Sequence, residues 1–240
     1  MPRSVLIVGD SLSGGLPHLN FPSQLRRLNP GWDYLVSSRG GDTLAGIGSR
    51  LQEFLVARTY DVVIVEGGAN DIILPHLEQR GGIWGYFARA MMGRGRMPTR
   101  DLAAFRVLLE NIQKNAQTRA EAVAVTTIPC LGENLASQLN ATRALYNQGI
   151  REAARTCGAL VIDFGVKYEE LLEAEEFPSD YLLEHFRDVF LDTFQALTPQ
   201  KALVLSERRG LFLTIDGLHP NPRGAAILAG TVDTALRGLR

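Results

Sequence analysis

Asp216-Gly217-Leu218-His219 sets a carboxylate three residues ahead of an imidazole. That spacing lets the carboxylate reach back to a ring nitrogen within one turn, fix the tautomer and stabilise the imidazolium. Among the four histidines, His18, His76, His185 and His219, only His219 has such a partner. His185 falls inside a helical pattern, while His18 and His76 follow glycine-rich segments and are candidates for touching substrate. An imidazole so oriented serves to activate a hydroxyl, which is a poor nucleophile until its proton is removed. Ser11 offers that hydroxyl in Gly9-Asp10-Ser11-Leu12, ahead of Gly14-Gly15, where small residues permit a sharp turn. Taken alone, Ser11 also reads as a turn serine capping the next helix. Two more clusters carry polar groups among glycines: Arg39-Gly40-Gly41-Asp42 and Glu66-Gly67-Gly68-Ala69-Asn70-Asp71. Asn70 reads as a loop asparagine or as an amide donor to developing negative charge. Asp10 reads as a turn or capping carboxylate and Asp71 as a capping one.

The elements that must position these residues alternate short apolar runs with longer helical patterns, which predicts a parallel sheet covered by helices on both faces. The runs are Val5–Val8, Tyr34–Val36, Val62–Val65, Ala122–Val125 and Leu160–Ile162. Helical spacing follows in Leu44, Ile47, Leu51 and Leu55, and again in Leu102, Phe105, Leu109, Ile112 and Ala116. Ser137 caps a third helix that Gly158 stops. Asn221 and Pro222 open the last one. In such a sheet, sites form beyond the carboxyl ends of the strands, which is where the first three clusters fall.

Two stretches break the rhythm. Residues 75–100 read as a greasy loop with Gly81, Gly82, Gly85, Gly93 and Gly95 among Trp84, Tyr86, Phe87, Met91 and Met92. Within residues 166–213, Leu182, Phe186, Val189, Phe190 and Leu197 read as one amphipathic helix. Trp84 and the nearby Arg89, Arg94, Arg96 and Arg100 suit either a lid over an acyl or aromatic substrate, or a contact with another part of the chain or another copy of it.

With GDSL at Gly9–Leu12, GGD at Gly40–Asp42, GAND at Gly68–Asp71 and DGLHPN at Asp216–Asn221, in order from Gly9 to Asn221, the sequence resembles the SGNH, or GDSL-type, serine hydrolases. The resemblance implies a flavodoxin-like three-layer α/β/α sandwich on a five-stranded parallel sheet, and hydrolysis of carboxylic esters or thioesters. It also implies that Ser11 is the nucleophile, His219 the base and Asp216 the acid. The Ser11 N–H, a glycine N–H of the second block and the Asn70 side-chain amide would form the oxyanion hole, whose single donors elsewhere contribute about 10² to 10³ in turnover. Gly41 fits the second-block position better than its neighbour Gly40, because Gly-Asp-Thr follows the family pattern. Asp10, Gly40, His76 and Trp84 are the further candidates for substrate contact. An acyltransferase with the same triad, or a non-catalytic flavodoxin-like binding module, are the alternatives.

Composition narrows the field. The 240 residues carry 25 Lys+Arg against 26 Asp+Glu, a formal net charge of -1. Near-neutrality argues against nucleic acid as a partner, since phosphate binding rests on many cations. It averages an arginine-rich 75–100 against an acidic run from Glu169 to Glu176. The length suits one hydrolase domain spanning residues 1–240, with 75–100 and 166–213 as insertions forming a lid, a cap or a homo-oligomer contact. Two cysteines, Cys130 and Cys157, make neither a zinc cluster nor a disulfide scaffold and read as buried fillers placed apart. No metal or cofactor is expected, and the expected partner is a small-molecule ester or acyl substrate. No run approaches the roughly 18 apolar residues of a membrane span. The opening lacks the apolar core of about 7 to 15 residues of a signal peptide. A cytoplasmic location is the expectation, with a trimmed secreted form as the alternative.

Overall fold

The computed structural model describes residues 3–174 and 179–239. Glu175 and Glu176 of the acidic run, and the side chains of Val189 and Phe190, lie outside the described residues.

Five strands form one parallel sheet: β1 (Ser4–Gly9), β2 (Asp33–Ser38), β3 (Tyr60–Val65), β4 (Ala120–Thr126) and β5 (Leu160–Ile162), in the order β2-β1-β3-β4-β5. Each expected run lies inside its strand. The order reverses at β1, so the segments leaving β1 and β3 open on either side of a crevice at the carboxyl edge. Register brings those ends level, with Val8 opposite both Ser37 and Val65.

The helices are α1 (Phe21–Leu28), α2 (Leu44–Ala57), α3 (Ala69–Arg80), α4 (Gly82–Gly93), α5 (Leu102–Gln117), α6 (Gln138–Cys157), α7 (Phe164–Leu172), α8 (Asp188–Gln195), α9 (Pro199–Arg208) and α10 (Pro222–Arg237). Successive strand residues point to opposite faces, so β1 serves two cores at once. Leu6 and Val8 pack with Ile47 and Leu51 of α2 and Leu109 and Ile112 of α5. Val5 and Ile7 pack with Phe21 and Leu25 of α1, Tyr168 of α7 and Leu228 and Val232 of α10. The result is the three-layer α/β/α sandwich. Among the described residues no helix is long and apolar enough to cross a membrane.

Residues 75–100 are largely helical, contrary to the loop reading. α3 continues through Pro75 to Arg80, and Gly81 and Gly82, both with positive φ, turn the chain into α4. Burial overrides the breakers: Ile73, Leu74 and Leu77 of α3 and Trp84 and Ala88 of α4 share the core. Gly85 is there for contact, since a Cβ on it would lie 3.1 Å from the Glu78 carbonyl oxygen of α3.

Residues 166–213 also differ from expectation. α7 is followed, after the undescribed stretch, by an irregular run from Ser179 to Arg187, and only then by α8 and α9. Leu182 and Phe186 therefore precede the helix and Leu197 follows it. Leu183 adopts φ 45, which a helix cannot accommodate, and the Thr198 cap with Pro199 starts a new helix. Cys130 is buried and free, whereas Cys157 at the end of α6 is half-exposed, its thiol 3.7 Å from the Glu110 carbonyl.

Candidate active site

Ser11 opens a single 3-10 turn, Ser11–Ser13, immediately beyond β1. The Asp10 carboxylate caps that turn by accepting the Leu12 N–H at 3.0 Å. The Ser11 hydroxyl lies 2.9 Å from His219 Nε2, and His219 Nδ1 lies 2.7 Å from Asp216 Oδ2. The second Asp216 oxygen accepts the backbone N–H groups of Leu218 and His219 at 2.9 and 2.7 Å. One carboxylate thus fixes the imidazole through its ring and through its backbone. The network assigns the proton to Nδ1, leaving Nε2 to accept from the serine hydroxyl.

The electrostatics agree with that direction of transfer. Burial pushes the His219 ring towards neutrality, but the charge and hydrogen bond of Asp216, with Asp10 and Asp192 further off, outweigh it and raise the ring to about 8. Burial alone would raise the Asp216 carboxyl, yet His219 and the two backbone donors hold it below the usual range. The pair is built to carry an imidazolium.

The loop bearing Asp216 and His219 is braced from β4's carboxyl end. Buried Glu133 accepts the Phe212, Leu213 and Thr214 N–H groups at 2.6, 2.9 and 2.7 Å, and the Thr214 hydroxyl at 2.6 Å. Thr214 passes the brace on by accepting the Gly217 N–H at 3.1 Å. Asn221 closes the far side, capping α10 through Arg223 and Gly224 and donating to the Phe212 carbonyl. Arg209, over the Tyr181 ring, pairs with Asp188 and Asp192 and donates to the Ile215 carbonyl at 2.6 Å.

Behind Ser11 lies a second carboxyl pair. Glu66, at the end of β3, accepts the Asp10 N–H at 3.0 Å and the Ser13 hydroxyl at 2.7 Å. Burial and the Glu66 charge push the Asp10 carboxyl well above its usual range, and burial lifts Glu66 as well. Arg50 of α2 staples three neighbouring segments, donating to the Gly9 carbonyl, the Ser37 carbonyl and Asp42 at 2.7, 2.9 and 2.8 Å. Asp71 is buried and accepts the Leu44 and Thr99 N–H groups, so it anchors the start of α2. Burial raises it to about 6.

The candidate oxyanion donors converge beside Ser11. Gly41 adopts φ 72, a left-handed backbone that favours glycine, and the Met91 Cε fills the space a Cβ would take, at 2.2 Å. Ser11, Gly41 and Asn70 line the same hollow. The Asn70 amide nitrogen already donates to Asp10 Oδ2 at 2.9 Å and to the Asp42 carbonyl at 3.0 Å. Both of its hydrogens are engaged.

The other expected contacts divide. Gly40 and Trp84 line the hollows at Ser11. Asp10 does not, because it is fully buried beneath the turn with its carboxylate on Leu12 and Asn70. His76 faces a separate hollow with Asp71, Pro75 and Tyr146. Six residues after Asn70, it points away from the face formed by positions three, four and seven. His18 is tied to the Ala196 carbonyl at 2.7 Å, and His185 is exposed. Sequence reasoning overlooked Glu66, Arg50, Glu133 and Arg209 as supports. The only local signal was a buried-type strand ending in Glu66.

Comparison with known proteins gives the same direction. The model of the GDSL-like lipase/acylhydrolase family matches residues 7–227. No curated protein matches the sequence. Among solved structures, an α/β hydrolase from the metagenome of Lake Arreo, Spain, is similar at a TM-score of 0.65 and 16% identity, covering 99% of this chain and 96% of that one. The acetyl xylan esterase AlAXEase gives a TM-score of 0.65 at 17% identity, over 97% of this chain and 99% of its own. An acetylxylan esterase from Geobacillus stearothermophilus gives 0.64 at 16% identity, over 98% and 94%. These likenesses show a shared fold. The family match, covering nearly the whole chain, identifies this protein as a member of the GDSL-like lipase/acylhydrolase family and a carboxylic ester hydrolase.

Proposed function

We propose that the chain is a serine esterase working through an acyl-enzyme on Ser11. Neutral His219 takes the Ser11 proton as the hydroxyl oxygen attacks the ester carbonyl, and Asp216 stabilises the imidazolium that results. The carbonyl oxygen, now negatively charged, receives the N–H groups of Ser11 and Gly41 and one Asn70 hydrogen released from the Asp42 carbonyl. His219 returns its proton to the departing alcohol. Water then repeats the sequence on the acyl-enzyme and frees the acid. The observation that carries the reading is the continuous chain from Asp216 through His219 to Ser11, at 2.7 and 2.9 Å.

In this reading the whole chain is one catalytic unit, in which residues 75–100 and the described part of 166–213 wall the substrate hollow. α4 is held as a wall by packing, with Trp84, Phe87 and Phe186 meeting edge to face at centroid distances of 5.2 to 6.3 Å. Treatment with an organophosphonate should leave one stable adduct on Ser11, read by peptide mass spectrometry. Ser11→Ala should abolish both adduct and ester cleavage, and full activity in that variant would refute the mechanism. Transfer of the acyl group to an added alcohol in place of water distinguishes an acyltransferase in the same assay.

A further inference from the structure

Two hollows meet at Ser11 and differ in chemistry. One, of about 280 Å³, holds Gly41 and Asn70 at its near end and runs along α3. Asn70, Ile73, Leu74 and Leu77 succeed one another at helical spacing on one face, so the slot follows that face for two turns. At 1.5 Å per residue, Asn70 to Leu77 spans about 10 Å. Trp84, Phe87 and Met91 of α4 close the opposite side, and among the described residues no carboxylate, lysine or arginine lines it. The other hollow, of about 440 Å³, sets Ser38, Asp192 and Asp216 and the Gly14-Gly15 backbone among Leu16, Leu19, Leu183 and Ile215, and Gly41 and Asn70 are not among its described lining residues.

We propose that the apolar slot along α3 is the acyl site and that it selects a saturated acyl chain of about eight carbons, with the alcohol half in the hollow that carries Ser38, Asp192 and Asp216. This rests on the esterase reading above. The carbonyl must lie against the Gly41 and Asn70 donors, and these sit only at the mouth of the apolar slot, so the attached chain continues into it. Ser11 and His219 line both hollows, so with the acyl chain in the slot the alcohol half has the second hollow, where Asp192 and Asp216 lie. Length follows from geometry: an extended chain advances about 3.6 Å over three bonds, so ~10 Å of slot takes about eight carbons. An acetyl group would leave the slot unfilled, and water there would meet aliphatic and aromatic walls.

The test is a p-nitrophenyl ester series from acetate to laurate on the intact protein, with the alcohol held constant. Each methylene entering the slot should raise kcat/KM about fourfold, with the rise ending near octanoate. Phe87→Trp narrows the slot from a half-buried wall and should move the optimum to shorter chains. An acetate optimum, or a flat series to octanoate, would overturn the acyl assignment, as would an optimum that Phe87→Trp leaves unmoved. The organophosphonate adduct on Ser11 is measured on the same preparation. A labelled serine with an acetate optimum refutes the slot alone, whereas an unlabelled serine refutes the esterase reading and the slot with it.

Discussion

A general base must be neutral to act, and the His219 ring is raised to about 8 by the carboxylate that orients it. The acidic limb of kcat/KM should climb about tenfold per pH unit below that value and level off above it. A midpoint near 6.5, the unperturbed histidine value, would show that Asp216 does not hold the ring as described. The same shift has a sign in stability. A group whose folded pKa is raised stabilises the fold fully below its unfolded value, and that contribution fades as pH rises through about 8. Optimal chemistry and this contribution to stability thus pull towards opposite ends of the same pH window. Asp216 and His219 were legible because three residues of sequence bring them together. Glu66 was not, since its bonds to Asp10 and Ser13 cross 56 and 53 residues.

At the scale of elements, the strand ends deliver Ser11, Gly41 and Asn70, but the loop from Leu213 to Asn221 delivers the proposed base and acid, and it has little secondary structure of its own. An isolated bridge between Thr214 and Pro220 and the four bonds to Glu133 hold its shape. Glu133→Ala strands three backbone N–H groups and a hydroxyl. A cost of about 3 kcal/mol corresponds to a fall of roughly 6 to 12 °C in Tm for a chain of this size. Calorimetry reads it directly, and an unchanged Tm would show that water or another group replaces the carboxylate. The five strands were legible from their apolar runs because β1, β3 and β4 are covered on both faces. α3 and α4 were not, because Pro75 and Gly85 read locally as breakers. What keeps them helical is mutual burial, including the close approach of Gly85 to the Glu78 carbonyl, which appears only once the helices pack.

Across the whole molecule, the described residues of 179–209 are tied to the active-site loop through Arg209. Its guanidinium, largely buried, meets Asp188 and Asp192 and the Ile215 carbonyl at 2.6 to 3.0 Å. Removing it leaves buried Asp192 without its cation and Asp188 with only the exposed Arg187, a loss of about 3 to 5 kcal/mol for a buried pair. Arg209→Ala should therefore accelerate hydrogen exchange in α8, α9 and the Leu213–Asn221 loop while β1 and β3 keep their protection. Uniform loss across the sheet would mean that these segments do not open as a separate unit.

Leu183 belongs to that outer layer yet reaches the centre. Its N–H donates to the Asp216 carbonyl at 3.0 Å, its own carbonyl accepts from Arg80 at 3.0 Å, and its side chain walls both hollows at Ser11. It is also the one non-glycine residue with positive φ among those described. The consequence concerns inheritance of specificity. A replacement at 183 that reshapes the fit for the acid half of an ester reshapes it for the alcohol half in the same step, and it must tolerate a left-handed backbone while doing so. The two preferences of this enzyme are consequently not free to diverge one mutation at a time at this position, and any lineage that retunes one of them here carries the other along.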